Sequence, residues 1–458
     1  MIEIGLIGFG NVGQDIYRIL NENGLLISKR IGRPLIIKKI AVRSPEKYLD
    51  LITDPSLLTT DANDILNDPN ISIVVEVIGG EIPALDYITT ALTNKKHVVT
   101  ANKEVISKHK KHFFKMAQTN GVDICFEAAV GGGIPIIRAL KVGFAANKIK
   151  AFYGIINGTT NYILTKIKDE KKEFNTVLKQ AQDLGFAELD PTMDISGLDA
   201  AYKCSILAAV AFKLDSQVNE IVYKGIESIT LKDLNYATEL GYAIRLLAQG
   251  KQLDSNEFEL QVCPSLIPLN HPLASVHNEF NAVYVVGDQV GEAMLMGKGA
   301  GGSPTASAII SDIIDISFGI SQQTSSRNLE TNFQDGKIKP LNKTMSQYYL
   351  RINVKNEPGV LEQVSLQFAE QSISIEKIIQ KESDTNIAEI VIITNTIEHQ
   401  NFIEVETALS NLKQCNKVES SIQKLNIEFI LTTEKDWVKI EPLKRKTSII
   451  VFELNVTI

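Results

Sequence analysis

IEIGLIGFGNVG, residues 2–13, is the stretch that decides the fold of the first part of the chain. Its first half is an apolar run, and Gly8, Gly10 and Gly13 follow in GxGxxG spacing before an amphipathic stretch. The glycines permit a tight turn from strand to helix, and the helix N-terminus attracts a pyrophosphate that the backbone can approach closely. The pattern therefore predicts a dinucleotide-binding unit.

Apolar runs alternate with helical patterns as far as about residue 130. Strands are predicted at 35–42, 71–78, 97–100 and 122–126. This alternation is typical of a doubly wound parallel sheet, so we predict an α/β fold with a Rossmann-type sheet. The first of these runs ends in Arg43, where an acid would hold a ribose 2′-hydroxyl and an arginine suits a 2′-phosphate. Arg43 therefore favours NADP over NAD, with a solvated arginine as the alternative.

Composition limits the classes of partner. The chain has 458 residues, 44% of them hydrophobic, which is enough for two or three domains. A net charge of -7 without a Lys/Arg-rich patch argues against nucleic acid. The dispersed cysteines form no CxxC pair and predict neither a disulfide framework nor a zinc site. With no basic leader and no apolar run of the roughly 18 residues that span a bilayer, the sequence predicts a cytoplasmic protein.

GFAELDPTMDISGLDAAYKC, residues 185–204, gathers carboxylates and a lysine. A helical pattern follows Gly197, so Asp199 and Lys203 are expected one turn apart on one face. Glu188 and Asp194 precede them in a loop that could receive an ammonium group or water. A lysine held beside a carboxylate can act as a proton donor, whereas the alternative is a solvated acidic loop with a surface ion pair.

Other candidate site segments follow predicted strands. VVTANKE (98–104) brings Lys103 to the carboxyl edge of the sheet, where ligands collect. EAAVGGGIPIIRAL (127–140) turns through three glycines, and its carbonyls could hold a monovalent cation, although glycine loops without an ion are commoner. MGKGAGGSPTASAIISDI (296–313) is a second glycine-rich loop before a helix, which suggests that the chain returns to the cofactor region.

These motifs, together with NGTTNYIL (157–164), resemble homoserine dehydrogenase over roughly residues 1–320. The resemblance implies NAD(P)H-dependent, reversible reduction of L-aspartate 4-semialdehyde to L-homoserine, in threonine, methionine and isoleucine biosynthesis. It implies Lys203 as general acid, Asp199 near the reacting oxygen, and Glu188 and Asp194 on the amino-acid end of the substrate. Lys103 is implied to contact both cofactor and substrate.

The resemblance also implies the remaining ligands. The cofactor-binding residues are expected to be Phe9, Gly10, Asn11, Val12, Gly13, Arg43, Lys103, Gly185 and Gly301. A monovalent cation, with sodium expected, is implied at Glu127, Val130, Gly132 and Ile134. NADP is the expected cofactor, although NAD stays open.

A separate module is predicted at 348–427, where strand and helix patterns follow a βαββαβ order. It resembles the ACT domain, a module that binds small amino acids. Its turn NEPGVL (356–361) opens the first helix, but Asn356 and Ser372 depart from the usual residues and leave the ligand open. L-Threonine is the expected allosteric inhibitor, and a purely structural, dimerising module is the alternative.

The predicted domains are a Rossmann domain at 1–130 (completed by about 300–320), a substrate-binding and dimerisation domain of α+β type at 131–320, a connector at 321–347, the ACT domain at 348–427 and a tail of unknown role at 428–458. A homodimer or homotetramer is expected. A semialdehyde dehydrogenase is disfavoured because no cysteine lies in a glycine-rich turn or beside a histidine. A non-catalytic amino-acid sensor that keeps the dinucleotide fold is the alternative function.

Overall fold

The computed structural model describes residues 1–254, 256–322, 324, 333–384, 386–413 and 415–425. The predicted tail at 428–458 and part of the predicted connector lie outside the described residues. Within the described ranges, no helix combines the length and the apolar character that a membrane crossing requires.

The first region is a six-stranded parallel sheet with helices on its faces. Its elements are β1 (Ile2–Ile7), α1 (Asn11–Ile31), β2 (Leu35–Ala41), β3 (Leu58–Thr59), α2 (Asn63–Leu66), β4 (Ile71–Glu76), α3 (Ala84–Thr93), β5 (His97–Thr100), α4 (Lys103–Asn120) and β6 (Ile124–Cys125). The strand order is β3-β2-β1-β4-β5-β6, which confirms the predicted doubly wound sheet. The order reverses between β1 and β4, and this switch point is where such sheets bind ligands.

The second region is built on a mixed sheet. Its elements are α5 (Ile136–Arg138), β7 (Ile149–Ile155), α6 (Gly158–Glu170), α7 (Phe174–Asp183), α8 (Thr192–Ile195), α9 (Leu198–Ala211), β8 (Val222–Tyr223), α10 (Leu231–Glu239), β9 (Tyr242–Gln252), β10 (Glu257–Pro268), β11 (Phe280–Gly287), β12 (Gly291–Lys298) and α11 (Gly302–Gln322). Helix α11 packs back on α1: Ser303 donates to Asp15 at 3.1 Å, and Gly302 leaves no room for a Cβ beside the same carboxylate. The second glycine-rich loop therefore lies beside the start of α1.

The third region has the predicted βαββαβ order. Its elements are β13 (Lys337–Ile338), β14 (Met345–Lys355), α12 (Val360–Glu370), β15 (Ile375–Asp384), β16 (Ile387–Thr394), β17 (Ile397–Glu398), α13 (His399–Ser410) and β18 (Cys415–Lys424). The main strands lie in the order β18-β14-β16-β15, which confirms the ACT fold. Strand β18 also pairs in parallel with β10, at Ser265 and Leu266, so one sheet runs from the second region into the third.

A buried set of charges, here called the interface cluster, joins α10 to the ACT sheet. It consists of Asp233, Arg351 and Glu389, with Tyr236 and Tyr349. Arg351 Nε donates to Asp233 Oδ1 at 2.8 Å, and its Nη1 donates to Glu389 Oε1 at 3.3 Å. The tyrosine hydroxyls donate to the same two carboxylates at 2.9 and 3.0 Å. The two regions are thus held together by buried, hydrogen-bonded charges.

Candidate active site

Lys103 is the first residue of α4, directly beyond β5. Asn102 fixes this helix start, because its side chain accepts from the N–H of Val105 at 3.2 Å. The same amide donates to the carbonyl of Gly80 at 2.6 Å, in the loop that follows β4. The ends of two neighbouring strands therefore hold Lys103 at the carboxyl edge of the parallel sheet, as the sequence predicts.

Asp199 lies between two lysines. Lys203, one turn further along α9, donates to Asp199 Oδ2 at 2.6 Å and to the carbonyl of Ile156 at 2.8 Å. Lys103 forms an ion pair with the other oxygen, Oδ1. The side chain of Asp199 is 2% exposed and that of Lys203 is 13% exposed. The alternative of a solvated surface ion pair is therefore wrong, because this pair is buried.

Asn157 is a member of the site to which the sequence analysis gave no role. Its amide donates to Asp194 Oδ1 at 2.7 Å and to Asp199 Oδ2 at 2.8 Å, so it holds two carboxylates together. Its side-chain oxygen accepts from the N–H of Thr160 at 2.8 Å and caps α6. The NGTT sequence after a buried strand could have predicted the capping role of Asn157, because asparagine is a preferred residue at the N-cap of a helix. We call Lys103, Asn157, Asp194, Asp199 and Lys203 the lysine–aspartate cluster.

Electrostatics separates the two lysines of this cluster. Burial lowers the pKa of Lys203, and the neighbouring charge of Lys103 lowers it further, against the opposing effect of Asp199. Burial would also lower the pKa of Lys103, but the carboxylates of Asp199, Asp194 and Glu188 together outweigh it, so this pKa is raised. Burial would raise the pKa of Asp199, but the two lysines hold it below its ordinary value. Lys203 is thus the readier proton donor, while Lys103 keeps its charge.

The acids before α9 have two different tasks, and Asp194, which the sequence analysis expected in a loop, lies in the short helix α8. Burial, and next the charge of Asp199, raise the pKa of Asp194, which faces the cluster. Asp190 instead accepts from the N–H and hydroxyl of Thr192 and so stabilises the turn. Glu188 is exposed, but its charge contributes to the raised pKa of Lys103. The structure therefore brings Asp194 into the cluster and places Glu188 near it without a direct contact to its lysines.

A cavity of about 440 Å³ lies at the switch point, between the β1–α1 turn and the end of β2. Gly8 has a φ of +105°, and a Cβ on Gly13 would lie 2.5 Å from the Gly8 carbonyl, so both positions require glycine. The start of α1 has no side-chain cap, which leaves backbone N–H groups for a phosphate. These features fit a dinucleotide.

The wall of this cavity that follows β2 carries positive charge. Arg43 lines it, together with Ser44 and Lys47, which the sequence analysis did not single out. Phe9 and Gly10 also line it. The remaining predicted cofactor residues lie at helix boundaries: Asn11 and Val12 in the first turn of α1, Gly185 after α7 and Gly301 before α11. A basic pair beside a hydroxyl suits a 2′-phosphate.

The predicted cation loop is closely packed. The carboxylate of Glu127 accepts from the N–H groups of Ile137 and Arg138 at 2.8 and 2.7 Å, so it caps α5. A Cβ on Gly132 would lie 2.5 Å from the carbonyl of Gly299, so the two glycine-rich loops are in contact. The cation ligands that the loop can offer are main-chain carbonyls, including that of Val130, whereas the carbonyl of Ile134 already accepts from the N–H of Ile136 at 2.8 Å. Hard oxygen donors of this kind fit an alkali cation.

A Rossmann sheet with a phosphate-binding turn, and a buried lysine–carboxylate cluster at its carboxyl edge, define the class as nicotinamide-dependent oxidoreductases. Family models match the chain in three parts: "Homoserine dehydrogenase, NAD binding domain" at residues 8–127, "Homoserine dehydrogenase" at 135–314 and "ACT domain" at 348–414. The chain belongs to the homoserine dehydrogenase family.

Relatives support this assignment over nearly their whole length. The homoserine dehydrogenase of Bacillus subtilis is 40% identical over 422 residues, which cover 92% of this chain and 97% of that protein. The crystal structure of a homoserine dehydrogenase from Thiobacillus denitrificans is 39% identical, with a TM-score of 0.87, and covers 93% of this chain and 98% of its own. A hyperthermophilic archaeal homoserine dehydrogenase in complex with NADPH is 28% identical, with a TM-score of 0.59, over 69% of this chain and 97% of its own.

Proposed function

We propose that this homoserine dehydrogenase reduces L-aspartate 4-semialdehyde to L-homoserine with NADPH, reversibly, and that Lys203 donates the proton. The observation that carries the proposal is the position of buried Asp199 between two lysines whose pKa values are displaced in opposite directions. The reaction serves threonine, methionine and isoleucine biosynthesis.

The cluster supplies the proton chemistry. When bound, the dinucleotide provides the hydride that reduces the aldehyde carbon. Negative charge then develops on the carbonyl oxygen, and the Lys203 ammonium stabilises it and gives up a proton, which completes the alcohol. In the opposite direction, neutral Lys203 accepts the hydroxyl proton. Lys103 stays charged throughout and keeps Asp199 ionised, so the carboxylate can orient Lys203.

Asp194 in α8 and Glu188 in the loop before this helix bind the substrate ammonium group. Asp194 is fixed by Asn157 and by the hydroxyl of Thr159, at 2.7 and 3.2 Å. Glu188 adds a charge at the exposed side of the cluster. These contacts exist before and during the reaction, so they set substrate affinity more than turnover.

Arg43 and Lys47 give the enzyme its preference for NADP. Hydrogen bonds from these charged donors to the 2′-phosphate of NADP are stronger than those to the neutral 2′-hydroxyl of NAD. A monovalent cation, sodium in our proposal, binds the carbonyls of the 127–134 loop. There it would hold the two contacting glycine-rich loops together.

L-Threonine inhibits the enzyme through the ACT region in this proposal. The start of α12 follows Gly359, which has a φ of +85°, and no side chain caps the helix, so its N–H groups can receive a carboxylate. Asn356→Ala should raise the threonine concentration for half-inhibition and leave KM for homoserine unchanged. An unchanged threonine response would remove this turn from the regulatory site.

The function is tested by following NADPH absorbance with homoserine and NADP, and with the semialdehyde and NADPH. We expect turnover in both directions. Absence of turnover in both, with the dinucleotide still bound, would favour the non-catalytic amino-acid sensor instead.

A further inference from the structure

Lys110 is a buried lysine that the proposed chemistry leaves without a role. It lies in α4 and is 1% exposed. Its Nζ donates to the carbonyl of Ser107 at 2.8 Å, to the hydroxyl of Ser205 at 3.0 Å and to the carbonyl of Ser216 at 2.5 Å. An ammonium group has three N–H donors, so these contacts use all of them.

The three acceptors lie on separate parts of the site framework. Ser107 belongs to α4 itself, Ser205 to α9, and Ser216 to the segment that follows α9. Ser205 also donates to the Ser216 carbonyl at 2.7 Å, which closes the arrangement. Lys110 therefore ties α4 to α9 and to the chain beyond it.

These are the two helices that carry the catalytic lysines. Lys110 follows Lys103 by seven positions in α4, which is about two turns and therefore the same face. Ser205 follows Lys203 by two positions in α9. The ion pair between Lys103 and Asp199 joins the helices at one level, and Lys110 joins them again further along α4. Contacts at two levels fix both the distance between the helices and their relative rotation, whereas a single contact fixes only the distance.

A role in stability explains this residue poorly. Burial lowers the pKa of Lys110 to about 8, against the opposing charges of Asp215 and Glu220, so the fold disfavours the charged form. Asp215 Oδ1 is 3.7 Å away and does not make a close pair. Replacing a buried ion pair by apolar side chains of similar volume is often neutral or stabilising, so a buried charge is weak evidence for a role in stability. What only the ammonium provides is a defined geometry between three acceptors.

We propose that Lys110 is a positioning residue for the reaction: it fixes α4 against α9 and thereby holds Lys103 at Asp199, opposite Lys203. The inference rests on the proposed roles of these lysines. Lys110→Met should lower kcat by about tenfold or more, because small displacements of reacting groups are costly. KM for homoserine and NADP should change by less than about threefold, since Asp194, Glu188 and Arg43, the main proposed binding groups, are untouched.

The decisive experiment is a double-mutant cycle in the full-length enzyme. If Lys110 acts through Lys103, Lys110→Met should cost less than about threefold in kcat once Lys103→Met is present. Lys111→Met is the matched control, because the neighbouring lysine is 70% exposed and should leave kcat unchanged. Ser205→Ala removes one acceptor of Lys110 and the hydrogen bond from Ser205 to the Ser216 carbonyl. It should lower kcat by a smaller factor than Lys110→Met, which keeps the test valid if Lys110→Met does not fold.

Equal losses from Lys110→Met in both backgrounds would overturn the proposal, because they would show an effect independent of Lys103. A folded Lys110→Met or Ser205→Ala enzyme with wild-type kcat would also overturn it. Absence of turnover in the unaltered enzyme would be a different failure, since it would overturn the proposed function and this inference with it.

Discussion

Asp199 and Asp233 are both buried aspartates that accept from cations, yet their surroundings differ. In the lysine–aspartate cluster, Asp199 meets two lysines and the amide of Asn157. In the interface cluster, Asp233 accepts from both Nε and Nη2 of Arg351, at 2.8 and 3.2 Å. The first cluster lies beside the end of the parallel sheet, and the second lies between α10 and the ACT sheet.

The two clusters differ in whether the cation can release a proton. Burial would lower the pKa of Arg351, but Asp233 outweighs it and raises this pKa, so the guanidinium keeps its proton. Burial lowers the pKa of Lys203 despite its carboxylate partner. Burial beside a carboxylate therefore yields a permanently charged contact with arginine and a proton donor with lysine.

The largest effect is expected from a substitution that breaks the interface cluster. Arg351→Met leaves Asp233 and Glu389 buried without their arginine, so it should lower the free energy of unfolding by about 3–5 kcal/mol. Thermal denaturation of the full-length protein measures this. Lys232→Met is the control: Lys232 also contacts Glu389, at 2.7 Å, but is 55% exposed, so about 0–1 kcal/mol is expected. Equal losses would show that burial does not distinguish the two cations.

The next effect concerns the proton donor. Lys203→Met should lower kcat by about 100-fold or more with little change in NADP affinity, because the ammonium acts when charge develops on oxygen. Steady-state kinetics and a cofactor titration measure the two quantities. If kcat falls by less than about tenfold, Lys103 is the better candidate for the acid.

The pH profile gives a second readout for Lys203. Homoserine oxidation needs neutral Lys203, so its rate should rise with pH through the pKa of this residue, and semialdehyde reduction should fall. Because that pKa is lowered, both changes should occur below the ordinary lysine value of about 10.4. The Lys203→Met enzyme should lack this titration. A profile that persists in the variant would assign it to another group.

A smaller effect is expected at the dinucleotide cavity. Arg43→Ala should weaken NADP by about 1.5–3 kcal/mol and leave NAD nearly unchanged, because the lost hydrogen bond is to a charged group that only NADP carries. Competitive binding of the two dinucleotides measures the difference. Equal weakening of both would place Arg43 at the shared pyrophosphate.

The smallest effect compares Glu188, in the loop before α8, with Asp194 in α8. Glu188→Gln should raise KM for homoserine by about two- to fivefold, because solvent screens an exposed charge. Asp194→Asn should raise it more, since Asp194 is held inside the cluster. Initial rates over a range of homoserine concentrations test the ranking. A larger change at Glu188 would reverse the assignment of the main substrate contact.

Local patterns account for what the sequence could predict. The GxGxxG turn and the alternation of strands depend on neighbouring residues, and the contact of Asp199 with Lys203 follows from one helical turn. The ion pair between Lys103 and Asp199 joins distant segments, so the sequence offered the residues and not their contact. The same holds for Asn157, whose capping role is local but whose bond to Asp194 depends on how α6 and α8 pack.

The pairing of β18 with β10 has a consequence for how this enzyme could be engineered. An ACT region attached by a flexible linker could be exchanged for another and keep its own stability. Here the N–H of Leu425 donates to the carbonyl of Leu266 at 2.9 Å, and the border between regions is an ordinary strand pair. A transplanted module would need a matching strand edge as well as an arginine for Asp233. The boundary of an exchanged module should therefore lie within the shared sheet, at positions where the two strands can still pair. Backbone amides along the β10–β18 pairing should exchange with solvent together, as one unit.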